Sequence, residues 1–264
     1  MDLLLSFIMI LLGFIGSFFS GLLGIGGAII NFPLLLYVPP AFGAEGFSAH
    51  EVSSISMIQV FFASLAGVAA FRFKNKKGSS LIHKGLVLYM GTSILAGSLI
   101  GGTVSGYLDG ESINLLYGIL AVVAVVLMLI PNRGKADNEG GPIAFHKGIA
   151  AGSAFLVGIL SGIVGAGGAF ILIPIMLKVL KIPTRTTIAS SLAIVFISAI
   201  GGVIGKLSGG DIPLWPTVFT IVGSLLGAPL GSKVSSMINV KWLQYGLIVL
   251  IALTAVKVWS SILS

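Results

Sequence analysis

Ser20-Gly-Leu-Leu-Gly-Ile-Gly-Gly-Ala28, running on to Pro33, is the stretch that decides the reading of this chain. It returns 141 residues later as Ser161-Gly-Ile-Val-Gly-Ala-Gly-Gly-Ala169, running on to Pro174. Eight of the fourteen aligned positions are identical, including Gly24/Gly165, Gly26/Gly167, Gly27/Gly168 and Ala28/Ala169. A glycine cluster in an apolar run removes side chains and makes helical continuity costly. Two such breaks at matching places in two halves point to a transporter site built from broken helices.

Working outward, the surroundings are hydrocarbon-like. Mean hydropathy is +1.11 and only 9% of residues are charged, where a soluble domain carries about a quarter. The apolar runs reach membrane-spanning length as helices, and no short alternating barrel strands are visible. With no Cys, disulfide scaffolds and thiolate metal sites are excluded. The net charge of +7 reads as loop charge that sets topology, not as a nucleic-acid footprint. The first segment has neither a basic lead nor a small-residue cleavage site and is read as a retained helix.

The apolar segments are Leu3–Phe19, a short arm Ala28–Val38, then Val52–Phe71, Gly85–Val104 and Ile113–Ile130. Lys147–Leu160, a short arm Ala169–Leu180, Thr187–Ile204, Pro213–Val234 and Trp242–Ile262 repeat the plan. Gly97-Ser-Leu-Ile-Gly101 is echoed by Gly223-Ser-Leu-Leu-Gly227. The chain therefore divides into a first repeat (1–130), a cytoplasmic linker (131–145) and a second repeat (146–264). If each glycine cluster is the tip of a re-entrant hairpin, 13 of the 15 Lys and Arg fall on one side, all but Lys206 and Lys257. If the short arms cross instead, the split is 10 against 5. The positive-inside rule favours the hairpins, which makes the halves inverted and puts both termini outside the cytoplasm. The expected fold is an all-α, multi-pass protein of the cytoplasmic membrane. It has two inverted repeats, each a broken or re-entrant hairpin followed by three transmembrane helices.

In a hairpin the second arm starts at the tip, deep in the bilayer, with unpaired N–H groups and a partial positive charge. Gly26, Gly27 and Ala28, with Gly167, Gly168 and Ala169, are the expected walls of a site where two such helix starts hold an anion. The paired motif resembles the sulfite exporter TauE/SafE family of membrane permeases. Arg185-Thr-Thr-Ile-Ala-Ser190-Ser191 resembles the basic start of the family's next segment, with His50-Glu-Val-Ser-Ser-Ile-Ser56 in the matching place. The resemblance covers nearly the whole chain. It implies movement of sulfur-containing anions such as sulfite, thiosulfate or sulfonates (sulfoacetate, for example). The family often shows a third consecutive Gly, where Ala28 and Ala169 stand here.

Further substrate candidates are Asn31 and Gln59, whose counterparts are Leu172 and Ile194, and the aligned pair Ser56/Ser191 with Ser190. Such an asymmetry suits a substrate with two unlike ends. Single Ser residues in membrane helices also bond to their own backbone. Arg185 is a candidate for drawing an anion to the inner mouth, and His50 with Glu51 for proton coupling. His83 and His146 read as solvated loop residues, and three scattered His argue against a metal site. Gly201-Gly-Val-Ile-Gly-Lys206-Leu207 misses the phosphate-loop pattern at both ends, so no ATP site and no cofactor are expected. Energy then comes from a coupling proton or sodium, the substrate's own gradient, or a partner. The expected function is a secondary transporter, not an enzyme, with an anion-selective channel as the rival. A homo-oligomer is an open expectation, since Gly97/Gly101 and Gly223/Gly227 suit packing within or between chains.

Overall fold

The computed structural model describes residues 3–24, 28–74, 82–129, 145–208, 212–235 and 237–239, together with scattered helical positions between 242 and 260. Among these residues the protein is all-helical. In chain order the helices are α1 (Leu3–Leu23), α2 (Ala28–Ala41), α3 (Ala49–Lys74), α4 (Lys84–Val104), α5 (Gly110–Leu129), α6 (Lys147–Val164), α7 (Ala169–Pro174), α8 (Thr184–Leu207) and α9 (Leu214–Ser235). Seven of them, α1, α3, α4, α5, α6, α8 and α9, are long and apolar enough to cross a membrane. The short arms are α2 and α7. At Pro174, which lacks an N–H, α7 gives way to one π turn, Ile175–Val179, the widening expected where proline breaks the ladder.

Small residues set the packing. A Cβ on Gly13 would strike the Thr220 backbone, and one on Gly21 the Ala228 carbonyl. Gly223, Gly227 and Gly231 return the contact against Ile10, Phe14 and Phe18. So α1 and α9 run side by side in the same direction, backbone against backbone. The same happens between α4 and α6, where Gly97 and Gly101 meet Phe155 and Ile159 while Gly158 and Gly162 meet Ile94 and Ser98. Each half thus lays its third long helix on the first helix of the other half. Both glycine spacings noted in the sequence are spent within the chain, as small-residue packing in lipid predicts. In the centre, α3 and α8 run in opposite directions. Met57 lies against Gly202, Val60 and Val195 share a level, and Leu192 lies against Gly67.

The first limb of each hairpin is longer than a half-crossing. The C-cap Gly165, with φ 76°, rests on Ser53, five residues into α3. The Ile163 carbonyl just before it accepts from Lys206 near the end of α8. The turn therefore sits at the level of helix ends, not at half depth as a simple re-entrant tip would. From there Gly167 (φ 62°) and Gly168 (φ 79°) let the chain fold back until α7 begins halfway along the bundle. Both conformations are left-handed and strain any side chain. Gly24 (φ 73°) makes the equivalent turn after α1 and rests on Ile188 of α8.

His146 is exposed and His83 is half-buried. Each also caps a helix, His83 Nδ1 accepting from Leu86 N (3.2 Å) and His146 Nδ1 from Ile149 N (3.4 Å). An imidazole nitrogen satisfies one of the orphan donors of a first turn.

Candidate substrate site

The second glycine pair reaches the middle of the molecule. A Cβ on Gly167 would meet Val60 and Val195, at the midpoints of α3 and α8, and one on Gly168 would meet Val157, Ser161 and Ile94. Gly168 is the N-cap of α7 and no side chain caps it. Ala169 behind it is fully buried. Gly26 and Gly27 lie outside the described residues, and Ala28 is described only as the first residue of α2.

Facing this level is a polar cluster. Asn31, one turn into α2, is 1% exposed, and Gln59, next to Val60 on α3, is equally buried. The Asn31 Oδ1 fills the space that a Cβ on Gly16 would need, with Gln59 Nε2 beside it. Gln59 Nε2 donates to Gly13 O (3.3 Å) and, more weakly, to Ser17 Oγ (3.5 Å). Both amide atoms of Asn31, the Gln59 Oε1, and the hydroxyls of Ser20 and Ser56 are buried without a hydrogen-bond partner. Ser56 lies one turn before Gln59, and Ser20 one turn after Ser17. A buried polar group left unpaired costs about 1–3 kcal/mol, so five unpaired atoms on four residues of α1, α2 and α3 need an explanation. At the positions equivalent to Gly16, Asn31 and Gln59, the second half has Val157, Leu172 and Ile194, all buried and apolar.

The remaining candidates are held by the fold. Ser191 Oγ donates to Gly24 O (2.7 Å) and to Ile188 O (3.0 Å), pinning the first glycine turn onto α8. Ser190 Oγ accepts from His83 N (2.9 Å). Arg185, half-buried, donates to Ile238 O (3.4 Å) and ties the start of α8 to the segment after α9. Glu51 closes a capping box. Its Oε2 accepts from Ser48 N (2.8 Å) and Ser48 Oγ (2.9 Å), while Glu51 N donates to Ser48 Oγ (3.3 Å), the reciprocal pattern of a helix start. His50 beside it is near Asp109. Hydrogen bonds from Ser112 and, to a smaller extent, the charge of His50 hold the Asp109 carboxyl below its ordinary value. Among the described residues no three His, Asp or Glu gather to hold a metal ion.

Sequence reading missed Gly16 and Ser17 as neighbours of Asn31 and Gln59. The available signal was the run Gly13, Gly16, Ser17, Ser20, which puts small and polar residues on one face of α1. It also passed over Lys206, only 4% exposed, whose Nζ donates inward to Ile163 O (3.0 Å).

The sequence model of the family described as sulfite exporter TauE/SafE matches residues 9–258. The chain belongs to the TauE/SafE family. Similar proteins across its length are the probable membrane transporter protein YunE of Bacillus subtilis (strain 168), 22% identical, covering 89% of this chain and 90% of that protein. A probable membrane transporter protein of Xylella fastidiosa (strain Temecula1 / ATCC 700964) is 31% identical over 94% and 93%. YfcA of Escherichia coli (strain K12), named in the same way, is 27% identical over 87% and 78%. No solved structure matches this chain. With its seven apolar helices, this TauE/SafE protein is a multi-pass membrane transporter.

Proposed function

We propose that this TauE/SafE protein is a secondary transporter of small sulfur-containing anions, sulfite, thiosulfate or organosulfonates such as sulfoacetate, working by alternating access. The anion sits between the start of α7, at Gly167, Gly168 and Ala169, and the Asn31–Gln59 cluster. The observation that carries the reading is the buried, unpartnered amide of Asn31 beside Gln59, on α3 at the level Gly167 touches. Amide and hydroxyl donors suit sulfur-bound oxygens, and the uncapped start of α7 adds partial positive charge. The apolar counterparts Leu172 and Ile194 would take a substrate's second, less polar end.

The antiparallel α3 and α8, and the exchange of α1–α9 for α4–α6 contacts, support two inverted repeats related about this centre. The charge distribution supports termini on the non-cytoplasmic side. Rocking of one half against the other would then expose the centre to each side in turn. Full burial of Asn31 and Gln59 favours an occluded carrier over an open channel. A proton or sodium gradient is the expected coupling.

The test is uptake of labelled sulfite, thiosulfate and sulfoacetate by proteoliposomes, with counterflow. Uptake with counterflow is expected, and Asn31→Leu should slow it at least tenfold while the protein stays folded in the membrane. No anion movement above empty vesicles would overturn the reading, as would normal uptake by the variant. Single-channel currents without counterflow would establish the channel instead.

A further inference from the structure

We propose that Lys206 and Ser53 form a second anion-binding station, on the non-cytoplasmic side of the central site, through which the transported anion passes. This rests on the transporter reading above. Both side chains converge on one atom: Lys206 Nζ and Ser53 Oγ each donate to the Ile163 carbonyl, at 3.0 Å and 3.0 Å. That carbonyl belongs to the last turn of α6, immediately before the Gly165 turn that leads back to Gly167. At about 1.5 Å rise per residue, Ser53 lies roughly 10 Å along α3 from Val60, the residue that Gly167 touches.

An ammonium has three donors, and among the described residues Ile163 O is the partner bonded to this one. Two bland explanations fail. A lysine that merely snorkels sends its charge out to the interface, whereas Lys206 is 4% exposed and bonded inward. A lysine needed to cap this corner should recur in the other repeat. The register that pairs Gly165 on Ser53 with Gly24 on Ile188 places Phe71 opposite Lys206, Ile188 opposite Ser53 and Leu22 opposite Ile163. At the aligned position the sequence has an aromatic residue in place of the lysine. Nor does Lys206 serve topology, since it lies on the side the positive-inside rule leaves nearly bare. A buried ionisable group in a membrane protein is retained for what it binds. Here the bound species is a small sulfur oxyanion, whose oxygen replaces the Ile163 carbonyl as acceptor for the ammonium and the Ser53 hydroxyl.

The experiment compares wild type, Lys206→Met, Lys206→Gln and Lys206→Arg in proteoliposomes sorted by orientation, with labelled sulfite, thiosulfate and sulfoacetate. Lys206→Met and Lys206→Gln should raise KM at least tenfold from the non-cytoplasmic side, by more than Vmax falls, with a smaller change from the other side. Lys206→Arg, which keeps the charge, should recover most of that loss. Should Lys206→Met fail to fold, the KM of Lys206→Gln decides. Wild-type uptake with KM unchanged in the neutral variants, or a fall in Vmax and thermal stability alone, removes the station and leaves the transporter reading standing. No uptake of any of these anions by wild type removes both.

Discussion

Replacing Asn31 with Leu should make this protein more stable and less active. Asn31 buries two polar atoms, Oδ1 and Nδ2, with no partner for either. Each such group costs about 1–3 kcal/mol, so removing both at the lower end recovers about 2 kcal/mol. Leucine shares asparagine's branched four-atom skeleton, and Leu172 already fills the equivalent place in the second half at 0% exposure, so overpacking should not cancel the gain. Gln59 keeps its bonds to Gly13 and Ser17. At about 2–4 °C per kcal/mol for a domain of this order, Tm should rise by roughly 4–8 °C. Thermal unfolding in detergent, followed by tryptophan fluorescence, reads the stability, and proteoliposome uptake reads the function. Asn31→Leu should unfold later and transport at least tenfold more slowly. Added substrate anion should raise Tm for wild type and not for the variant. If Asn31→Leu unfolded at or below the wild-type temperature, the amide would be a satisfied packing element, and the argument from its unpaired atoms would fail. Wild-type uptake by the more stable variant would equally refute a substrate role. The outcome proposed is the stability–activity trade-off of a site that keeps polar groups free for a ligand.

Three further outcomes follow from the packing and from the start of α3. Gly101→Leu drives a side chain into the backbone of Ile159 on α6 and should cost about 3 kcal/mol, read as a large loss of folded monomer in detergent. An unaffected yield would mean that α4 and α6 tolerate separation. Ser48→Ala removes the hydroxyl of the capping box at the start of α3 and should cost about 1 kcal/mol. Glu51→Gln should leave the pH profile of uptake unaltered if Glu51 serves only the cap, and a shifted profile would support the proton-coupling role expected from the sequence.

Much of the architecture was legible because apolar length and glycine spacing are local properties. Segment Gly85–Val104 became α4 (Lys84–Val104), and Pro213–Val234 became α9 (Leu214–Ser235). The short arms were legible too, since glycine at the start and proline within limit a helix wherever it folds. The depth of the turns was not legible. The apolar run of α6 continues past Leu160 to Val164, and only its neighbours, Ser53 and Lys206, fix where Gly165 sits.

Among candidate residues the same division holds. The doubled glycine motif and the odd amides Asn31 and Gln59 stood out in the sequence because a polar group in an apolar run is visible in one dimension. Whether a hydroxyl is spent or free depends on what lies across the helix boundary. Ser191, the sequence-aligned partner of Ser56, is bonded to Gly24, whereas Ser56 is unpaired. Glu51 looked titratable and is bonded in a helix cap. Lys206 stood out only as a cation on the sparsely charged side, and it is buried on a carbonyl 43 residues away. Composition and periodicity determine which segments leave water and where they break. Hydrogen-bond partners come from chain segments remote in sequence, and tertiary contact alone decides which polar groups remain available to bind.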